Sequence, residues 1–235
     1  RTVAAVAPEG LVKAGPLPGE AAVMARYMNH IAVTAITIPL AGTPAPDAYA
    51  VLDSGHPVDG HVRDKLRVLG FTPSAMAPET TWLRRAHLRI IGRLPTSAEV
   101  TAFLADKSPD KREKVIDKLL ERPEYADFWA NKWADLLQVN SKFIGAEGAK
   151  AFRDWIRKEV ADNTPHDQFA RKIITATGSN KDNPPASYYK ILRKPEDTME
   201  NTTHLFLAVR FNCNKCHDHP FERWTQDQYY QTAAY

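Results

Sequence analysis

Cysteine is nearly absent from this chain, with only Cys213 and Cys216 among 235 residues. No spare thiol exists for a structural disulfide or for a second site of the same kind. Long apolar runs are missing too, so no membrane-spanning segment is visible. Charge of one sign is slight: 31 Lys and Arg against 28 Asp and Glu leave a formal +3. No basic cluster with interleaved aromatics appears, which argues against nucleic acid as a partner. The first residues lack a charged stretch followed by an apolar one, so a signal peptide is expected to have been removed or to lie outside this sequence. No nucleophile–base pair or pair of carboxylates can be localised from spacing alone, and no catalytic residue is assigned.

What is present describes a globular protein with one sizeable core plus an appendage: 43% hydrophobic and 25% charged residues. The two cysteines stand in Cys213-Asn214-Lys215-Cys216-His217, the C-x-x-C-H spacing of covalent haem attachment. In that chemistry the thiols of Cys213 and Cys216 add to the two vinyl groups of haem as thioethers. His217 then offers an imidazole nitrogen to the iron, so one turn of chain supplies two anchors and one metal ligand. Two other chemistries use the same residues. A C-x-x-C redox pair usually follows a strand in a thioredoxin-like pattern, which does not precede Cys213. A structural zinc site on Cys213, Cys216 and His217 or His219 needs a fourth ligand and usually a second spaced pair, which the chain lacks.

The longer run from Asn201 to Tyr230, with Arg210, Cys213, Cys216-His217-Asp218-His219-Pro220-Phe221, Trp224, Gln226 and Tyr229-Tyr230, closely resembles a cytochrome-like domain of unknown function that is abundant in planctomycete bacteria. Upstream, Leu83 to Thr96, Phe103 to Asp106, Glu121 to Tyr125, Asn131 to Asp135 and Pro165 to Phe169 are similar to its other landmarks. The resemblance covers about Val62 to Tyr235. It implies one covalent c-type haem held by Cys213, Cys216 and His217, with His217 as the metal ligand. It also implies an extracytoplasmic location (periplasm, envelope or secreted), because thioether formation takes place outside the cytoplasmic membrane. In that family more sequence commonly follows, so the chain is expected to be truncated at its C-terminus.

The expected architecture is mainly α, with a short N-terminal β appendage. Residues 1–42 read as strands, with Val33, Ala35 and Thr37 alternating with Thr34, Ile36 and Ile38 in the period of a half-buried strand. They resemble the last strands of a bacterial Ig-like domain, too few for a sandwich of about seven. Residues 43–60 form a Pro- and Gly-rich connector, and residues 61–235 form the helical cytochrome-like domain. Helices are expected around Val62 to Leu69 before Gly70, and around Leu83 to Ile91 before Gly92. Thr96 to Glu99 has capping-box spacing. Ser108-Pro109 reads as an N-cap and first helical residue for the next helix. Further helices are expected over Glu124 to Gln138, through Phe152 to Val160, and after Thr164-Pro165. Asn180 to Ser187 reads as a polar loop, and Thr225 as the cap of a last helix. Trp129 and Trp133 are read as core packing, the sharper alternative being that one lines a haem pocket.

A helix from about Glu196 is expected to run directly into the motif. On it Met199 and Cys213 share a stripe, but about 20 Å apart at ~1.5 Å per residue, and His204 falls on the far side. A continuous helix would keep both from the iron. His204 matches a subset of the resembled family, and a broken helix would restore it as a candidate. His219, two residues from His217, is read as a surface or supporting group. Asp218 or a carbonyl near Pro220 is expected to accept the imidazole N–H. His30, His56, His61, His87 and His166 are read as surface or capped residues, and the sixth position could equally be open or take water. The preferred functional reading is electron transfer to a redox partner protein or fused domain. The alternatives are a haem enzyme or gas- and ligand-binding protein with an open iron position, and an adhesive or scaffold surface module.

Overall fold

The computed structural model describes residues 2–28, 30–42, 44–45 and 47–234. Thr43, the expected first residue of the connector, lies outside them. The chain divides into two compact units, residues 1–77 and 78–235, and the architecture is mainly α with a small N-terminal β part.

In the first unit β1 (Ala4–Val6) pairs antiparallel with β2 (Val12–Ala14), and β3 (Gly19–Tyr27) with β4 (His30–Ile38). The described strands thus form two separate ribbons. The expected half-buried alternation of β4 is not realised: Met24 and Val33 lie opposite each other and are each 61% exposed. Among the described residues no second layer covers this part of the ribbon, so it has nothing against which to bury a face. Helix α1 (Pro57–Leu69) begins with the His56 ring accepting from the Val58 amide and ends at Gly70 with φ +70°. There the Gly70 and Phe71 amides close on Arg67 and Leu66, the pattern of a Schellman stop.

The second unit contains α2 (Glu79–Ile90), α3 (Ser97–Ala105), α4 (Lys111–Leu120), α5 (Pro123–Leu136), α6 (Ser141–Ala161), α7 (His166–Ile174), α8 (Ser187–Ile191), α9 (Pro195–Leu207) and α10 (Gln226–Ala233). Gly92 takes φ +69°, and a Cβ there would lie 2.2 Å from the Phe128 ring. The turn after α2 therefore needs glycine both for its backbone and for room. The capping box at Thr96–Glu99 forms as expected. The Ser108-Pro109 start does not: α4 opens after Asp110, because the Ser108 amide and hydroxyl both donate to Asp106 Oδ1.

The core lies between α5 and α6, where Ala130, Ala134 and Leu137 meet Phe152 and Ile156, joined by Phe169 and Ile173 of α7 and Tyr188 of α8. Alanines on α5 let the two helices approach closely. Burying each large side chain contributes roughly 1.5–3 kcal/mol. The expected loop at 180–187 is partly ordered instead. Pro184–Ala186 makes a 3-10 turn leading into α8, and Tyr188 is fully buried. Its hydroxyl donates to Asn201 Oδ1 at 2.8 Å and lies 3.0 Å from Thr202 Oγ1, tying α8 to α9. Burial pushes the Tyr188 phenol up to about 12.

One element departs from expectation where it matters most. Helix α9 does not run into the cysteine motif; it stops at Leu207, and Ala208 adopts φ +56° and ψ 24°. The Val209 amide donates back to the Thr203 carbonyl at 3.1 Å. The chain turns away there, so the shared stripe expected for Met199 and Cys213 does not exist.

Candidate functional site

The motif occupies a 3-10 turn over Asn212–Lys215, with Cys216 as its closing residue and its amide 3.5 Å from the Cys213 carbonyl. With about three residues per turn, side chains three apart eclipse one another. The turn therefore sends Cys213 and Cys216 to the same side, and both are unpaired and exposed.

This turn is held from below. Phe211, Met199 and Tyr229 form a small buried cluster, with Val209, Trp224 and Ala233 against it. Tyr229 donates to Glu200 Oε1 at 2.6 Å, which links α10 to α9. Burial first, then the neighbouring Glu200 carboxylate, pushes the Tyr229 phenol up. Asn214, between the cysteines, is fully buried and donates from Nδ2 to the Trp224 carbonyl at 2.6 Å. Its Oδ1 is buried without a partner among the described residues. The Lys215 carbonyl accepts from Gln226 Nε2 at 3.0 Å and from the Tyr230 hydroxyl at 3.1 Å. These supports were not assigned roles in the sequence. Their signal there was the fixed Trp224, Gln226 and Tyr229-Tyr230 of the resembled phrase.

The histidines separate by hydrogen bonding. His217 is exposed, and its Nδ1 lies 2.6 Å from the Asp218 backbone carbonyl. A carbonyl can only accept, so Nδ1 carries the proton, and in the neutral ring Nε2 then presents its lone pair. The carbonyl of Asp218 takes this part, while its carboxylate accepts from the Gln226 amide at 2.8 Å. His219 shows the opposite arrangement. Its Nδ1 accepts from the Phe221 and Glu222 amides at 3.2 and 2.9 Å, so in the neutral ring the proton sits on Nε2. Neither nitrogen of His219 is then free to bind a metal.

His87 is not the surface or capped residue that was expected: it is buried at 2% exposure in α2, with Nδ1 3.0 Å from the Leu83 carbonyl. His166 packs among Trp133 and Phe206. Trp129 donates to the Ile90 carbonyl, and Trp133 packs tilted against Phe169 with ring centroids 4.9 Å apart. The cavity bordering both tryptophans holds about 150 Å³, below the roughly 300 Å³ at which cofactor sites begin.

Cys213 lies in and Cys216 closes one supported 3-10 turn, both as exposed free thiols, and His217 follows directly with its Nδ1 against the Asp218 carbonyl. This donor set is chemically able to hold a covalently attached haem. Among the described residues no group of three or more His, Cys, Asp or Glu is arranged to hold a bare metal ion. Nor, among the described residues, is any helix long and apolar enough to cross a membrane.

A family model described as PSCyt2, protein of unknown function (DUF1549), matches residues 57–235. No curated protein and no solved structure matches the chain. The match spans most of the sequence, and the chain belongs to that family.

Proposed function

We propose that this member of the PSCyt2 family is an extracytoplasmic c-type haem protein that transfers electrons to a redox partner or a fused domain. The observation that carries the reading is the 2.6 Å contact of His217 Nδ1 with the Asp218 carbonyl, beside two unpaired thiols on one 3-10 turn. Bound there, haem would supply one-electron chemistry at its iron. The residues do the rest. Each thiol adds across a vinyl double bond, its sulfur bonding one carbon and its hydrogen passing to the other, so no oxidant is consumed. The Asp218 carbonyl fixes the tautomer and orientation of His217 and raises its basicity as a ligand. The turn is held by the Trp224 carbonyl, which accepts from Asn214, and by Gln226 and Tyr230, which donate to the Lys215 carbonyl. The N-terminal ribbons, with their Ig-like resemblance, fit a surface or secreted protein in which such strands act as spacers.

The test is export of the chain through a host that matures c-type cytochromes. We expect haem that survives acid–acetone extraction and denaturing electrophoresis, recovered in periplasmic or envelope fractions. Complete loss of haem on extraction, tight stoichiometric zinc in its place, or haem-loaded native protein found only in the cytosol would overturn the reading.

A further inference from the structure

We propose that the cavity along α9 is a binding site for a short zwitterionic peptide, a role separate from that of the cysteine turn. The cavity holds about 830 Å³, and its lining includes none of Cys213, Cys216 and His217. That size lies within the roughly 300–1,000 Å³ of small-molecule sites. Helix α9 forms one wall. Asp197, Glu200, Asn201 and His204 all line the cavity, and their spacing of three, four and seven residues puts them on one helical face. Two of them are fixed from behind by fully buried tyrosines. Glu200 Oε1 accepts from the Tyr229 hydroxyl at 2.6 Å, and Asn201 Oδ1 accepts from the Tyr188 hydroxyl at 2.8 Å. Among the described residues, Glu200 Oε2 and Asn201 Nδ2 are left without a hydrogen-bond partner, one an acceptor and the other a donor.

Cations line the same cavity: Arg193 and Lys194 from the connection between α8 and α9, and Arg210 from the chain that returns after Ala208. The Arg193 guanidinium lies over the Phe143 ring at 5.3 Å, which orients it without using its N–H groups. Elsewhere in this unit arginines close ion pairs, Arg112 with Glu79, Arg122 with Glu124 and Arg157 with Asp127. Here, among the described residues, none of the three cations comes within 4.0 Å of a carboxylate oxygen, although Asp197 and Glu200 line the cavity with them. Charges of both signs thus face one space and stay apart.

That lining selects the chemistry of its occupant. A purely anionic ligand would meet Asp197 and Glu200, and a purely cationic one would meet Arg193, Lys194 and Arg210. An apolar ligand would strip water from all five charges and give nothing back. A ligand with an ammonium at one end and a carboxylate at the other satisfies both sets, the ammonium on Glu200 and Asp197 and the carboxylate on an arginine fork. Asn201 Nδ2 can then donate to a peptide carbonyl between them. The helical face from Asp197 to His204 is about 10 Å long at ~1.5 Å per residue, the reach of about three extended residues at ~3.3–3.6 Å each. A tripeptide matches it.

The experiment is calorimetric titration of the full chain with trialanine, whose side chains add no charge. We expect one site with a dissociation constant of about 1 mM or tighter. N-acetyl-trialanine, which lacks the ammonium, and trialanine amide, which lacks the carboxylate, should each bind at least tenfold more weakly. Glu200→Gln, which can still accept from Tyr229, and the double variant Arg193→Gln with Arg210→Gln should each weaken trialanine at least tenfold. Absence of trialanine binding overturns the proposal. Capped peptides that bind as well as trialanine overturn it, and so does inorganic phosphate or the neutral trisaccharide cellotriose binding as tightly. Variants that fold and bind trialanine like wild type remove these residues from the site and overturn it too. Should the variants fail to accumulate, the capped peptides decide on the wild type alone. Covalent haem is measured separately on the same preparation, so failure of the haem reading and failure of this one are told apart.

Discussion

The amide of Val209 donates to the carbonyl oxygen of Thr203 at 3.1 Å, and that bond separates the helix bearing His204 from the turn bearing Cys213. Between them Ala208 sits in the left-handed region without being glycine, a conformation that costs an L-residue about 1–2 kcal/mol. The cost is met by burying Met199, Phe211 and Tyr229 as one cluster.

Ala208→Gly removes that strain but loosens the unfolded chain. We expect a net effect from neutral to about 1 kcal/mol stabilising, whereas the β-branched Ala208→Val should destabilise by at least as much as the strain it adds. Urea unfolding of the three proteins checks this. A marked loss of stability in the glycine variant would mean that the turn is not left-handed.

The two anchors should behave as separable bonds. Cys213→Ala or Cys216→Ala alone should leave one thioether and one free vinyl group, shifting the reduced absorption bands to longer wavelength. The double variant should lose its haem to acid–acetone. Mass spectrometry of the intact protein gives the count, and covalent haem on the double variant would remove these residues from the attachment.

Gly92→Ala places a Cβ 2.2 Å from the Phe128 ring at a φ of +69°. Overpacking of about 1–3 kcal/mol then adds to backbone strain of about 1–2 kcal/mol. A fall in melting temperature of several degrees is expected. A variant as stable as wild type would show that α5 does not pack on this turn.

Tyr188→Phe removes the hydroxyl that holds Asn201 and Thr202 and should cost about 1 kcal/mol at neutral pH, or about 2–4 °C. The pH dependence has a definite sign. The phenol rises from 10.0 to about 12 on folding, so its contribution is present below pH 10 and is lost as pH climbs through 12. The stability gap between wild type and variant should therefore shrink over that window. A gap that stays constant from pH 8 to 12 would contradict the burial of this hydroxyl.

Much of this protein is written in short-range chemistry. Thr96 with Glu99 and Thr225 with Gln228 close capping boxes within four residues, and Gly70 stops its helix where the apolar period ends. The C-x-x-C-H spacing of Cys213, Cys216 and His217 is legible for the same reason: the attachment proposed for them rests on residues adjacent in sequence. Other features depend on partners far away in the chain. Nothing local marks Ala208 as a helix stop, since alanine is the best helix former; only the packing of residues 199, 211 and 229 holds the break. The strands of 1–38 have the period of a half-buried sheet, yet whether a face is buried depends on a second layer, not on alternation. His217 and His219 are the same side chain two positions apart. Which of them presents a lone pair was decided by which backbone groups the folded loop brought to each ring: a carbonyl at one, two amides at the other.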